Sequence, residues 1–138
     1  MNPDAFWKNI ESLCHFINPD DNYYTSPDDN YYTSPLSQIT FERTKQLLDN
    51  SNWITQFELP IADVGPNNSL DLWWKNNHQE TMLLNIPQHG PITFAFSCKN
   101  NSSENIGSRI SGMLDKITLD CVIPALLKFM SRPYILNM

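Results

Sequence analysis

Cys14 and His15 stand side by side, and a thiol with an imidazole is the pair from which nucleophilic catalysis is commonly built. That chemistry needs sulfur and ring within hydrogen-bond reach, with a third group orienting the base. Neighbours on a helix point about 100° apart, so this pair is not placed to act together. The other two thiols, Cys98 and Cys121, fall on the apolar positions of a strand and a helix. The expectation for all three is a buried, inert thiol, because free cysteine is among the most buried residue types.

A zinc site would have to draw on Cys14, His15, His78, His89, Cys98 and Cys121. Apart from the adjacent pair, no two of them share ligand spacing on one element. His78 and His89 fall in turns at opposite ends of one strand. The carboxylates Asp20, Asp21, Asp28 and Asp29 cluster, but their spacing is not that of a calcium loop, and solvated turn residues is the better reading. The stretch Gly107-Ser108-Arg109-Ile110-Ser111-Gly112 lacks both the lysine of a phosphate loop and the pattern of a nucleophile elbow. The expectation is therefore a protein with no catalytic, cofactor-binding or metal-ligating residues, that is, not an enzyme.

The aromatic residues point elsewhere. Pro19–Ser26 reads PDDNYYTS, and Pro27–Ser34 repeats it without change, so 19–35 is a duplicated loop. Perfect identity argues for a recent tandem duplication, and two units are too few for a solenoid. Pro, Asp, Asn, Ser and Thr make it a loop by composition. Its tyrosines, Tyr23, Tyr24, Tyr31 and Tyr32, are either one packed pair with a tolerated spare copy or a contact surface, since tyrosine is enriched where proteins bind proteins. Trp73 is adjacent to Trp74, so on a strand the two point to opposite faces. Trp74 goes with the core. Trp73 is either covered by a helix or the Trp53 segment, or is an exposed anchor of the kind that dominates interface energetics. Tyr134 opens an apolar tail, Tyr134–Met138, that either folds back or meets a partner. Candidate partner-binding residues are thus Tyr23, Tyr24, Tyr31, Tyr32, Trp73 and Tyr134.

These groups need a scaffold, and the chain's patterning supplies one. Asn2-Pro3-Asp4 suits a helix start, and Phe6, Ile10, Leu13, Cys14 and Ile17 form one stripe of about four turns, closed by Asn18-Pro19. Leu36–Asn50 reads as a second helix capped by Ser34 or Ser37, with Phe41, Thr44, Leu47 and Leu48 inward. Trp53 to Ile61 reads as a connecting segment and Gly65-Pro66-Asn67-Asn68 as a turn. Period-two alternation then predicts strands over Ser69–Lys75, Gln79–Ile86 and Ile92–Cys98, with Leu84 and Phe94 buried. The links between them are hairpin length, so the sheet is antiparallel. Ile106, Ser108 and Ile110 are candidates for a fourth strand. Leu119, Val122, Ile123, Leu126, Leu127 and Met130 are the stripe of a last helix, capped by Thr118 or Asp120, which would put Pro124 near its first turn. The fold class is α+β: two N-terminal helices, a three- or four-stranded antiparallel meander, and a C-terminal helix on one sheet face.

A length of 138 residues fits one domain, 1–138, able to bury a core without a metal or disulfide. Net charge is −6, and nine scattered Lys and Arg do not suit a phosphate backbone, so direct nucleic-acid binding is not expected. With only 17% charged residues the chain lacks the carboxylate runs of a DNA mimic. No apolar run approaches a membrane span, and the start MNPDAFWKNIESL has no basic region followed by an apolar one. With no CxxC pair, free thiols in a reducing cytoplasm are the simplest reading. The Asn-x-Ser triplets at Asn67, Asn100 and Asn101 are then polar turns.

Tyr31-Tyr32-Thr33-Ser34-Pro35, Ser69-Leu70-Asp71-Leu72-Trp73-Trp74 and Leu83-Leu84-Asn85-Ile86-Pro87 together resemble a widespread group of small prokaryotic proteins to which no activity is assigned. Its members show a helix, an aromatic-small-Pro loop, a second helix, and a strand reading Ser/Gly-hydrophobic-x-Leu-x-Trp. The Tyr-Tyr repeat stands where the group has a Trp-Asp-Gly-like loop. The resemblance implies an α+β fold in a bacterial cell, with genes at mobile or defence-related loci, and no catalytic residue.

The function expected from all this is a protein-interaction module: an accessory, inhibitor or antitoxin-like subunit for a protein partner. A basic, nucleic-acid-handling partner suits the charge, and an acidic inhibitor of a defence nuclease is one form of it. The rival is a small enzyme or ligand-binding domain with a pocket between sheet and helices, which a polar cavity with a shifted carboxylate or histidine would favour. Oligomeric state is left open. Deleting Pro27–Ser34 is expected to leave the midpoint of chemical denaturation almost unchanged, because doubling a loop costs only about 0.6 kcal/mol. A collapse on deletion would show that both tyrosine pairs are structural.

Overall fold

The computed structural model describes residues 3–15, 34–99 and 107–133. Among these residues there are three α-helices and five strands: α1 (Pro3–Cys14), α2 (Gln38–Leu48), β1 (Ile61–Val64), β2 (Leu70–Lys75), β3 (Glu80–Ile86), β4 (Ile92–Cys98), β5 (Ser108–Leu114) and α3 (Lys116–Met130). The strands form one antiparallel meander in the order β1-β2-β3-β4-β5. No helix among the described residues is long and apolar enough to cross a membrane.

Alternation sends Leu70, Leu72 and Trp74, then Met82, Leu84 and Ile86, to one face, where all are buried. The helices close over that face with Phe6 and Ile10 of α1, Leu48 of α2, and Leu119, Ile123, Leu127 and Met130 of α3. Trp53, in a 3-10 turn over Asn52–Gln56, packs at 6.3 Å against Trp74. At about 25 cal/mol per Å² of apolar surface, this shared burial is the main stabilising force.

Local chemistry sets the ends. Ser37 caps α2 by accepting from the Thr40 N–H. Asn68, in the left-handed region at φ 57°, accepts from the Ser37 N–H at 2.6 Å and donates to the Pro35 carbonyl at 2.8 Å. Asparagine tolerates that backbone better than most residues, and here it ties the entry of α2 to the β1–β2 turn. The Leu36 N–H donates to Leu13 O, so the described chain before and after 16–33 meets at one point. Arg43 reaches from α2 to the carbonyls of Pro87 and Gly90, holding the β3–β4 turn.

Several expectations need correction. The segment before the Gly65 turn contains a further strand, β1, whose four residues Ile-Ala-Asp-Val show no apolar–polar alternation. Among the described residues the sheet thus has five strands, where three or four were expected. In α2 the most buried side chains are Thr40, Thr44 and Leu48, with Phe41 and Leu47 only half-buried. Thr40 and Thr44 can go inside because their hydroxyls donate to Asn68 O and Thr40 O. The cap of α3 is Asp115, in a reciprocal box with Thr118. That starts the helix earlier and leaves Pro124 inside it, where its ring removes an intrahelical bond. Asp120 does not cap; it accepts from Ser51 and Trp53 and pairs with Lys116 at 2.8 Å. Cys121 is exposed and Cys14 and Cys98 are half-buried, so none is the fully buried thiol expected. Phe94 is half-buried too, because its neighbour across to β5 is Gly112, which puts no side chain over the ring. The first helix is described to Cys14, and Ile17 lies outside the described residues.

Candidate functional site

The sheet face away from the helices carries the residues that the core does not use. Cross-strand pairing sorts them into three rows running at right angles to the strands. The central row is Ile61, Trp73, Leu83, Ala95 and Ser111. On one side lies an acidic and polar row of Asp63, Asp71, Asn85 and Thr93, which ends on the apolar Met113. On the other lie Lys75, Thr81, Ser97 and Arg109, with a positive charge at each end. Strands are about 4.8 Å apart, so a row crossing five of them is roughly 19 Å long. Each row needs a pairing register, since period two alone assigns a face but not a neighbour.

Trp73, Leu83 and Ala95 are half-buried and none packs against the core cluster. Trp53, one proposed cover for Trp73, packs on Trp74 at the opposite face. Ile61 and Met113 are largely exposed, at 56% and 72%. Among the described residues the α-helices contribute their buried side chains only to the other face.

The acidic row is held firmly at one point. Asn85 donates to Asp71 Oδ1 at 2.6 Å and to Ser69 Oγ at 2.8 Å. The Asp71 carboxylate also lies so close to Gly65 that a Cβ there would sit 2.6 Å from Oδ2, which explains a glycine at that turn. Burial raises the Asp71 carboxyl above its ordinary value; the Asn85 bond partly offsets this, and the Asp63 charge directly opposite adds to the rise.

A second polar cluster sits at the β2–β3 turn. Arg132, just past α3, grips buried Glu80 with both terminal nitrogens, at 2.8 and 2.9 Å. Asn76 donates to Glu80 Oε1 and to Met130 O, while its own oxygen accepts from the His78 and Glu80 N–H groups. His78 Nε2 lies 3.2 Å from Arg132 O. The Arg132 hydrogen bonds above all hold the Glu80 carboxyl below its ordinary value. A carboxylate so fully engaged is firmly ionised, the reverse of an acid or base poised near neutrality. The cluster bounds a cleft with Phe57, Trp74 and Leu127, but its geometry is that of a clamp joining the end of α3 to the sheet.

Burial, helped by the Glu11 charge, raises the Cys14 thiol and keeps it protonated. Among the described residues no three of His, Cys, Asp and Glu converge as metal ligands. Of the candidate contact residues, the structure places Trp73 on the open face; Tyr23, Tyr24, Tyr31, Tyr32 and Tyr134 lie outside the described residues. Sequence reading passed over Ile61, Asp63, Arg109 and Met113, which join Trp73 only through pairing of β1 and β5. Compared with known protein families, curated proteins and solved structures, the chain matches none.

Proposed function

We propose that this domain is a non-enzymatic protein-binding module, a cytoplasmic accessory, inhibitor or antitoxin-like subunit, and that it meets its partner on the open sheet face. The observation that carries this reading is the apolar row through Trp73 and Leu83, outside the core and bordered by opposite charges. A desolvated tryptophan supplies affinity, and the bordering charges orient the encounter and set its rate. A matching surface would carry an apolar centre, a basic edge facing Asp63 and Asp71, and an acidic edge facing Lys75 and Arg109. The net charge of −6 draws in a partner that is basic overall, as nucleic-acid-handling proteins are. The Tyr-Tyr repeat and the Tyr134 tail are further contact arms in this reading.

The test places a photo-crosslinking side chain at Leu83 in the native host and identifies the protein it captures. Affinity for that protein is then measured for Trp73→Ala, for Tyr23→Ala, Tyr31→Ala and Tyr134→Ala, and for Lys128→Ala, exposed on α3, as a control. Trp73→Ala is expected to weaken binding at least thirtyfold, about 2 kcal/mol, with its melting temperature little changed and the control binding as wild type. Wild-type affinity for Trp73→Ala would remove the open face as the contact. Turnover of a small substrate by the purified chain alone would remove the whole reading.

A further inference from the structure

The two edges of the sheet are unlike. β1 is four residues long, follows Pro60, ends at Gly65-Pro66 and carries Asp63. Short length, proline and charge are how natural edges avoid pairing with other chains. β5 has seven residues, no proline, and a single charge at Arg109. Among the described residues no strand pairs with its outer side, so alternate N–H and C=O groups face outward without a strand partner. Apolar side chains gather along that edge as well. Of seven large hydrophobic residues exposed among the described residues, four lie on β5 or α3: Ile110 at 59%, Met113 at 72%, Ile117 at 76% and Phe129 at 48%. Ile110 and Met113 point to opposite faces of the sheet, so covering one face would bury only one of them. A strand added beside β5 would cover both.

We infer that β5 pairs antiparallel with β5 of a second copy of this chain, about a twofold axis at Ser111, to give one ten-stranded sheet. Three features select this occupant and register. Matching faces require each residue to meet one of the same parity, and centring on Ser111 pairs all seven residues without overhang. On the helix side Ile110 then meets Gly112 of the second copy, over which the Phe94 ring lies, so Ile110 gains an apolar neighbour there. On the open side Arg109 meets Met113, so the strand's only charge never faces itself, and its aliphatic stem lies along the thioether. The central apolar row of one copy runs on through Ser111 into that of the other, doubling its length. The pairing is made by the outer edge of β5 and not by Trp73; Arg109 alone belongs to both surfaces, so Trp73 variants test partner binding separately.

Sedimentation equilibrium of the full chain is expected to show a dimer of twice the 16.0 kDa chain mass. Met113→Arg sets like charges against Arg109 across the axis and is expected to raise the dissociation constant by about tenfold or more. Combining it with Arg109→Glu sets opposite charges face to face and restores the dimer. Both positions are exposed, and unchanged circular dichroism checks that each variant is folded. In a Cys121→Ser background, Ser111→Cys is expected to form an interchain disulfide on oxidation, since directly opposed strand residues lie within about 4.5–5.5 Å. Ser108→Cys, which meets Leu114 in this register, does not. A wild-type chain that stays monomeric at the highest attainable concentration overturns the inference. So does a dimer indifferent to Met113→Arg whose Ser111→Cys form fails to cross-link. Trp73→Ala is expected to leave the dimer intact, so a failed partner contact and a failed dimer are told apart.

Discussion

Leu84→Ala is expected to remove about 2–5 kcal/mol of folding free energy, and Phe94→Ala, although it deletes a larger side chain, is expected to remove less. The two residues are directly paired across β3 and β4. Leu84 is fully buried on the central strand, whereas Phe94 is half-buried beside Gly112. The cost of truncation follows the contacts and water exclusion that are lost, not the size of the side chain. A domain of this kind has about 5–15 kcal/mol in total, so Leu84→Ala takes a large part of it. Urea denaturation with an unchanged slope measures the difference. An equal or larger loss at Phe94 would mean that its ring is covered more fully than described.

Glu80→Gln is expected to lower stability at neutral pH by about 1.5–3 kcal/mol, the worth of charge-assisted bonds to a buried acceptor. In melting temperature that is roughly 5–10 °C. Its second signature is in pH. Arg132 holds the Glu80 carboxyl below its ordinary value of 4.5, so the folded state binds this proton less readily than the unfolded chain. The stabilisation is therefore complete above about pH 4.5 and is lost as pH falls through the folded value. Burial by itself would raise Asp120, but Lys116, Ser51 and Trp53 outweigh it and lower the carboxyl, which adds a loss in the same direction. Asp71 is raised and works the opposite way. The difference between wild type and Glu80→Gln cancels both and isolates Glu80. That difference is expected to shrink steadily below pH 4.5. A gap that stays constant down to pH 3 would show that the clamp acts through shape alone and not through charge.

Much of this molecule was legible in local pattern. The apolar spacing of Phe6, Ile10, Leu13 and Cys14 gives α1, and the alternation through Leu70–Lys75, Glu80–Ile86 and Ile92–Cys98 gives three strands within a residue of their ends. These signals are strong because one face of each element is buried and the repeat runs for several turns or pleats. The helix ends were read less well. Asp115 and Thr118 cap each other reciprocally, an arrangement that a search for one capping residue at a time does not find.

What the chain alone determined was which residues face which way. Adjacent Trp73 and Trp74 must take opposite faces of any sheet that this strand joins. What only the tertiary structure decided was who stands beside whom. Ile61 lies next to Trp73, and Asp63 opposite Asp71, only because β1 pairs with β2 in one register out of several that its four residues would allow. Glu80 and Arg132 meet across 52 residues of sequence, brought together because α3 runs back over the sheet to the β2–β3 turn. Burial of Phe94 and Cys121 failed as an expectation for the same reason. Periodicity says which side of an element is apolar, but how far the helices extend over the sheet, and where its edge begins, depends on packing between elements distant in sequence.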